Sequence, residues 1–307
     1  MAITKEPTPY RGRFAPSPTG PLHFGSLVAA VGSFLEARSR NGEWLVRIED
    51  LDPPREEPGA SDDILRTLEA CGMQWDGEIV YQSTRRDAYH AALHSLRDRG
   101  LIYPCACSRR EIADSAIAGI DGPVYPGTCR NGLQPQRSAR VWRVRTDRQL
   151  VEFIDIVQGC VAQRLEINVG DYVLYRADRV YAYQLAVVVD DAEQGITDVV
   201  RGADLLSSTP RQLYLQKLLG YPTPNYMHLP VALNSAGEKL SKQTLAPAVN
   251  KAEALLWLWQ VLCFLGQKPP QELTRGTLHD LWNWAISHWQ PRNIPKARAL
   301  QANSLKS

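Results

Sequence analysis

The stretch from Arg11 to Asp52, RGRFAPSPTGPLHFGSLVAAVGSFLEARSRNGEWLVRIEDLD, decides the fold. It reads as one βαβ unit. Gly12 to Ala15 forms a short strand and Pro16 to Pro21 a turn-rich loop. A helix is predicted from about His23 to Arg40, with Leu27, Ala30, Val31, Phe34 and Leu35 near helical spacing. Trp44 to Glu49 is a second strand, with the Glu49 carboxylate at its C-terminal end. Parallel sheets bind ligands at the C-terminal ends of their strands, where a helix N-terminus offers unpaired N–H groups to an anion. The loop carries Ser17, Thr19 and Gly20, and His23 and Gly25 stand at the helix start. This is the pattern of a phosphate entrance without a Walker or GxGxxG arrangement of glycines. By itself it is equally an ordinary turn before a helix.

Downstream, Ser61 is expected to cap a helix, DDILRTLEACG, that Gly72 ends. Ser83 and Thr84 open another, RRDAYHAALHSLRDRG, ended by Gly100. At Leu101 the pattern changes. Residues 101 to about 134 lack a strong core periodicity, and residues 139–174 alternate like antiparallel strands. An apolar strand is expected at Ala182–Val189, stopped by Asp190-Asp191, then a second strand to Arg201. The helix STPRQLYLQKLLG, the strand NYMHLPVAL and a polar loop, NSAGEKLSKQTL, follow. From Ala246 the character is helical. Trp257, Trp259, Trp282, Trp284 and Trp289 lie at helical spacing and read as packing residues. The basic tail is expected to be partly mobile.

Apolar residues make up 44% of the 307 and charged residues 22%, ordinary for a globular chain, and the formal charge of +2 neither requires nor excludes nucleic acid. No apolar run approaches the ~20 residues of a membrane span, and the N-terminus has no apolar signal core. Six cysteines, three of them clustered, do not resemble a secreted disulfide scaffold. Together these features point to a cytoplasmic protein with no membrane partner. Nothing in them demands more than a monomer.

Two further constellations carry chemistry. In GEKLSKQ, Lys239 and Lys242 flank Leu240-Ser241, and mobile ammonium groups there can neutralise charge developing on phosphate oxygens. Cys105, Cys107 and Cys129 are three thiols close together in a segment with little core, which points to one structural Zn2+. Cys71, Cys160 and Cys263 are isolated and read as packing residues.

HFGS followed by KLSK after the parallel strands resembles the HIGH and KMSKS signatures of class I aminoacyl-tRNA synthetases. More narrowly, RFAPSPTGPLHFGS, VRIEDLD, VVDDAEQGITDVVRG and HLPVALNSAGEKLSK resemble the glutamyl branch, in order, over residues 11 to about 245. The resemblance implies an α/β fold: a Rossmann-like parallel-sheet catalytic domain in two halves, residues 1–100 and 176–245. Between them lies an acceptor-type subdomain with the zinc site, residues 101–175, and a short helical part follows, residues 246–307. It implies ATP, with Mg2+, and L-glutamate as substrates. Pro16, Ser17, Thr19, Gly20, His23, Gly25, Ser26, Lys239, Ser241 and Lys242 would bind ATP, with His23 and Lys242 catalytic. Arg13, Phe14, Ala15, Pro16, Ser17, Glu49, Tyr183 and Arg201 would hold glutamate, with Glu49 facing its ammonium. Related proteins complete the zinc site with a Tyr, and Tyr125 stands at the matching place. Asp114, Asp121 or water are the other candidates for that ligand. The sequence departs from the signatures at Ser26, where HIGH ends in His, and at Gln243, where KMSKS ends in Ser.

Only about 60 residues follow Lys242, too few for the separate anticodon-binding domain of a glutamyl-tRNA synthetase. That shortness resembles the truncated glutamyl-queuosine tRNA(Asp) synthetases. The resemblance implies that glutamate is activated without tRNA and passed to queuosine at the wobble position, with the anticodon stem-loop of tRNA(Asp) as the RNA partner. A truncated enzyme charging a tRNA 3′ end would share every active-site residue. A non-catalytic paralogue that binds tRNA or a protein would have no need of His23, Lys242, Glu49 and both arginines together.

Overall fold

A computed structural model describes residues 9–120, 122–240 and 246–302. Strand β1 (Arg11–Phe14) runs into the loop, and helix α1 (Phe24–Arg38) returns the chain to β2 (Glu43–Ile48). The two strands are parallel, with Arg13 opposite Leu45. Helix α2 (Ala60–Ala70), strand β3 (Val80–Tyr81) and helix α3 (Arg86–Asp98) follow, and β3 extends the parallel sheet on the far side of β2. Gly59, at φ +79°, precedes α2 and places Ser61 inside it, so the expected serine cap is not made. Ser83 and Thr84 lie in a 3-10 turn before α3; Ser83 bonds instead through its N–H and hydroxyl to Asp50.

The next segment contains strand β4 (Ile102–Cys105), helix α4 (Arg109–Ala113), the short hairpin β5 (Ala118–Gly119) and β6 (Gly122–Pro123), and strand β7 (Val141–Val144). The hairpin β8 (Leu150–Asp155) and β9 (Gly159–Arg164), helix α5 (Leu165–Asn168) and strand β10 (Val173–Tyr175) complete it. Strands β10, β7 and β4 form an antiparallel sheet in that order. The β8–β9 hairpin, although the sequence groups it with this segment, joins another sheet.

Helix α6 (Tyr183–Glu193) occupies the region where the sequence predicts a strand at Ala182–Val189. Three consecutive valines favour a strand. Here they are buried on all sides of a helix, a case in which an apolar run carries no period to read. Asp190 and Asp191 are internal to α6, where buried arginines meet them. Strand β11 (Asp198–Gly202), helix α7 (Thr209–Leu219) and strand β12 (Asn225–Leu229) follow, with β11 and β12 parallel and β8 parallel to β12 through Asp155 and Tyr226. Thr197, just before β11, exchanges hydrogen bonds with Arg11, setting β11 beside β1. Pro230 has no N–H and ends β12, so NYMHLPVAL is two strands. Strand β13 (Val231–Leu233) turns to a different partner.

That partner is β14 (Ala299–Gln301), in the tail expected to be mobile. Before it, α8 (Ala254–Phe264) and α9 (Leu278–His288) cover α1. Phe34 of α1 meets Trp44 and Trp282 edge to face, at 5.1 and 4.9 Å between centroids. Trp282 also donates to the Cys71 carbonyl at 2.8 Å. Burying such a ring stabilises by about 1.5–3 kcal/mol, so the tryptophan stripe is packing. Cys71 is buried as expected, whereas Cys160 and Cys263 are exposed and are not core residues. On the opposite side α1 comes close to β12: a Cβ on Gly32 would sit 2.4 Å from Leu229 Cδ1. Among the described residues, no helix is long and apolar enough to cross a membrane.

Candidate active site

At the C-terminal ends of β1, β2 and β11 two cavities meet. The first, about 480 Å³, is lined by Arg13, Phe14, Ala15, Ser17, Glu49, Tyr183 and Arg201, among others. The second, about 340 Å³, is lined by Pro16, Ser17, Thr19, Gly20, His23, Gly25, Ser26 and Lys239. Phe14, Ser17, Thr19, Ala29 and Gly202 line both. The proposed glutamate residues thus surround one cavity, except Pro16, which lines only the other. Ser241 and Lys242 lie outside the described residues.

The second cavity is shaped by a helix cap. His23 is the N-cap of α1: its Nδ1 accepts from the Ser26 N–H at 3.3 Å, and its own N–H donates to Ser26 Oγ at 2.8 Å. With Nδ1 engaged as an acceptor, the proton sits on Nε2, the nitrogen left to donate to an anion. Burial, with Lys239 nearby, lowers the His23 pKa and keeps the ring neutral. Ser26 at the fourth position of the motif therefore works as a capping partner. The chain at Leu240 comes down on this helix start: a Cβ on Gly25 would meet the Leu240 carbonyl at 3.1 Å, and His23 bridges to Ala248. Lys239 pairs with Asp204 at 2.6 Å on the cavity rim.

The first cavity is defined by buried charge. Arg13 is 3% exposed and binds Asp191 of α6 twofold, through Nε at 3.1 Å and Nη2 at 3.3 Å. Arg47, fully buried, joins Asp191 at 2.8 Å, Gln194 at 2.6 Å and Glu49 at 3.3 Å. Burial opposes the Asp191 charge, but Arg13 and Arg47 outweigh it and hold its pKa below the usual carboxylate range. Glu49 differs. Its burial raises the pKa against the pull of Arg47 and Arg13, so it lacks enough positive charge around it. An ammonium in the cavity would supply that charge. The Glu49 N–H also fixes the opening loop, by donating to the Pro16 carbonyl at 2.9 Å.

Arg201 enters from β11 and Tyr183 from the first turn of α6, 3.3 Å apart between Nη1 and the phenol oxygen. Arg201 also donates to Thr209 Oγ1 at 2.8 Å and to His228 Nε2 at 3.0 Å, and His228 Nδ1 lies 2.6 Å from Asp155. Sequence reasoning missed Arg47, Asp191, Thr209, His228 and Asp155. Arg47 carries a usable signal, a charge at a buried position inside an apolar strand. Asp155 carries none, because its partner is 73 residues away.

Cys105, Cys107 and Cys129 bring their sulfurs within 4.8 Å of one another. Cys107 and Cys129 are 3.6 Å apart, and the Tyr125 hydroxyl is 3.3 Å from Cys105 Sγ and 3.7 Å from Cys107 Sγ. Tetrahedral zinc with Zn–S near 2.3 Å requires ligand–ligand edges of roughly 3.5–3.8 Å. The Cys107–Cys129 and Cys107–Tyr125 separations fit that figure, and the Tyr125 oxygen sits slightly closer to Cys105. Asp114 does not belong to the cluster, and Asp121 lies outside the described residues.

Between the cysteine-bearing segment and the first cavity runs a cleft of about 830 Å³ lined by Arg55, Arg109, Arg140, Arg143 and Arg176 against Asp52 and Asp178. It shares Asp52, Arg55 and Arg176 with the first cavity. An adjoining hollow adds Arg179 and the rings of Trp142 and Tyr175.

Residues 10–258 match the sequence profile of the class I tRNA synthetase (E and Q) catalytic domain. A glutamyl-Q tRNA(Asp) synthetase of Dechloromonas aromatica is 62% identical over 94% of this chain and 97% of its own length. Proteins of the same name from Chromobacterium violaceum and Neisseria gonorrhoeae are 59% and 53% identical, over 93% and 94% of this chain and 95% and 98% of theirs. A solved glutamate tRNA ligase from Elizabethkingia meningosepticum, in complex with its amino acid, superposes with a TM-score of 0.80 at 24% identity, over 96% of this chain and 67% of that one. At that identity the likeness concerns the fold.

Proposed function

The chain belongs to the class I tRNA synthetase family of the E and Q type, and from that premise we propose that it activates glutamate with ATP and transfers it to the queuosine of tRNA(Asp). The observation that carries this reading is the end-to-end similarity to proteins named for that reaction, together with a cavity that holds two arginines and an under-compensated glutamate.

In the first step, an oxygen of the glutamate α-carboxylate attacks the α-phosphorus of ATP and pyrophosphate leaves. Glu49 receives the substrate ammonium. Arg13, Arg201 and the Tyr183 hydroxyl receive carboxylate charge, and this asymmetry selects glutamate over glutamine. The Nε2–H of His23 and the ammonium groups of Lys239 and Lys242 meet the phosphate oxygens, where charge grows in the transition state. Ser17 and Thr19, at the junction of the two cavities, stand where the acid and the α-phosphate meet. In the second step a hydroxyl of the queuosine cyclopentenediol attacks the acyl carbon, and AMP leaves.

The arginine cleft is the route for the RNA. Its charge suits phosphates, and Trp142 and Tyr175 offer ring faces to splayed loop bases. A zinc ion held by Cys105, Cys107, Tyr125 and Cys129 would tie β4 to the loop before β7, and so fix one wall of this cleft. A monomer suffices for this reading, and the tRNA substrate supports a cytoplasmic location.

The test is to supply radiolabelled glutamate, ATP and tRNA(Asp) with and without queuosine, then digest with nuclease. Label is expected in the anticodon fragment of the modified RNA alone. Label on the 3′-terminal adenosine would replace this reading with conventional charging, and absence of glutamate-dependent pyrophosphate exchange would remove the activation step.

A further inference from the structure

Arg201 has five N–H donors. Three are spent inside the protein: one on Tyr183, one on Thr209 and one on His228. The remaining two can face the first cavity, which Arg201 lines. The three bonds together orient that planar fork, and the one from Nε anchors it at the root of the guanidinium. The acceptor there is His228 Nε2, on a side chain fully shielded from solvent.

Accepting at Nε2 requires a neutral ring with its proton on Nδ1. Asp155 provides for this. Its Oδ1 accepts from the N–H groups of Val157, Gln158 and His228, at 3.0, 2.9 and 3.1 Å. Its Oδ2 is thereby aimed at His228 Nδ1, 2.6 Å away. A carboxylate can only accept, so the Nδ1 proton stays in place and the Nε2 lone pair faces the Arg201 Nε–H at 3.0 Å, with the Thr209 hydroxyl also 3.2 Å from it. Neither Asp155 nor His228 lines the cavity.

The structure assigns Asp155 and His228 as positioning residues that fix the glutamate-binding fork of Arg201, Asp155 by imposing the tautomer and His228 by accepting from Nε. This rests on the reading of the first cavity as the glutamate site. It extends that site to a strand, β8, outside every motif of the sequence. It also gives the β8–β9 hairpin a purpose in amino-acid selection, through its pairing with β12.

Three variants test the assignment. In Asp155→Asn the carbonyl oxygen keeps the three backbone N–H groups, so the amide nitrogen turns a donor toward Nδ1. The imidazole must then carry its proton on Nε2, donor against donor with Arg201. His228→Phe keeps the ring volume and removes the acceptor. His228→Gln restores an acceptor oxygen. Glutamate affinity is read as KM in ATP–pyrophosphate exchange and as Kd by calorimetry, with ATP KM and the melting temperature alongside.

Asp155→Asn and His228→Phe are expected to weaken glutamate by about 10- to 100-fold, the loss of one hydrogen bond to a charged group. ATP KM should stay within about twofold, and His228→Gln within about threefold of the parent for glutamate. The assignment is overturned if Asp155→Asn leaves glutamate affinity within twofold, if glutamate and ATP weaken together, or if Gln is as impaired as Phe. Should the Phe variant not fold, Asp155→Asn and His228→Gln decide. A parent protein that binds glutamate but performs no exchange counts against the activation reading alone, and the calorimetric Kd still decides the inference.

Discussion

Replacing Glu49 with Gln distinguishes a substrate-binding carboxylate from a structural ion pair, because the two roles predict opposite effects on stability. The Glu49 side chain is 8% exposed, and it meets Arg47 Nη2 at a long 3.3 Å. Burial dominates its environment and raises its pKa, so in the free protein the charge is poorly compensated. Gln preserves the shape without that charge, and the melting temperature should hold or rise, the usual outcome when a functional site is neutralised. Binding should suffer instead. Truncating one partner of a buried charged pair costs about 2–5 kcal/mol, which is ~30- to ~5,000-fold in glutamate affinity. The assay is ATP–pyrophosphate exchange titrated with glutamate, paired with thermal melting by circular dichroism. A melting temperature several degrees lower with an unchanged glutamate KM would refute the argument and make Glu49 a structural partner of Arg47. The same chemistry predicts weaker glutamate binding as pH falls through the raised pKa, since the protonated carboxyl no longer holds an ammonium.

Lys242→Ala should slow pyrophosphate exchange far more than it raises glutamate KM, the pattern of an interaction made mainly in the transition state; equal losses in both would remove it from the catalytic set. Cys129→Ser should lower the zinc released on unfolding, measured with a colorimetric chelator, from one ion per chain to a small fraction, and should lower the melting temperature. Arg140→Ala with Arg179→Ala should weaken tRNA(Asp) binding and flatten its salt dependence, the slope falling by about 1 for each phosphate that no longer has an arginine against it, while pyrophosphate exchange without tRNA is unchanged. Burial lowers the His228 pKa to about 4. Between pH 6.5 and 4 the unfolded chain therefore binds a proton that the folded chain refuses, and stability falls with acidification by up to roughly 3 kcal/mol; urea midpoints at pH 7 and 4.5 should show a smaller drop in His228→Gln.

The sequence was informative where function is carried by local motifs. The loop after β1, the cap of α1 and the lysine loop are short-range features, and the described residues among them meet in one place, as Gly25 and Leu240 do. It was misleading where burial erases periodicity. In α6 the run Ala182–Val189 is largely apolar, and β-branched residues outweighed the length that marks a helix. It was silent where the needed partner is distant: Asp155 has no neighbour in sequence that hints at His228, and Asp191 reads as the end of an element until Arg13 and Arg47 are seen against it. The tail also carried no strand signal, because β14 takes its order from β13 and not from its own pattern.

The pairing of Arg13 and Arg47 with Asp191 spans 178 and 144 residues of chain. Until α6 docks, the N-terminal βαβ unit has the Arg13 guanidinium without its carboxylate and that of Arg47 with only the long 3.3 Å contact to Glu49, and burying either in that state is unfavourable. Early collapse of that unit is therefore held open at this point. The chain between, with the cysteine cluster and the arginine cleft, must be traversed before the charges are neutralised, and contacts of such separation are slow to form. Closure of the amino-acid cavity is in this sense expected late in folding. A ligand that binds only the closed form draws the assembly to completion, by RT ln(1 + [L]/Kd). Free glutamate should thus influence how much of the newly made chain reaches its native state, well before any RNA arrives.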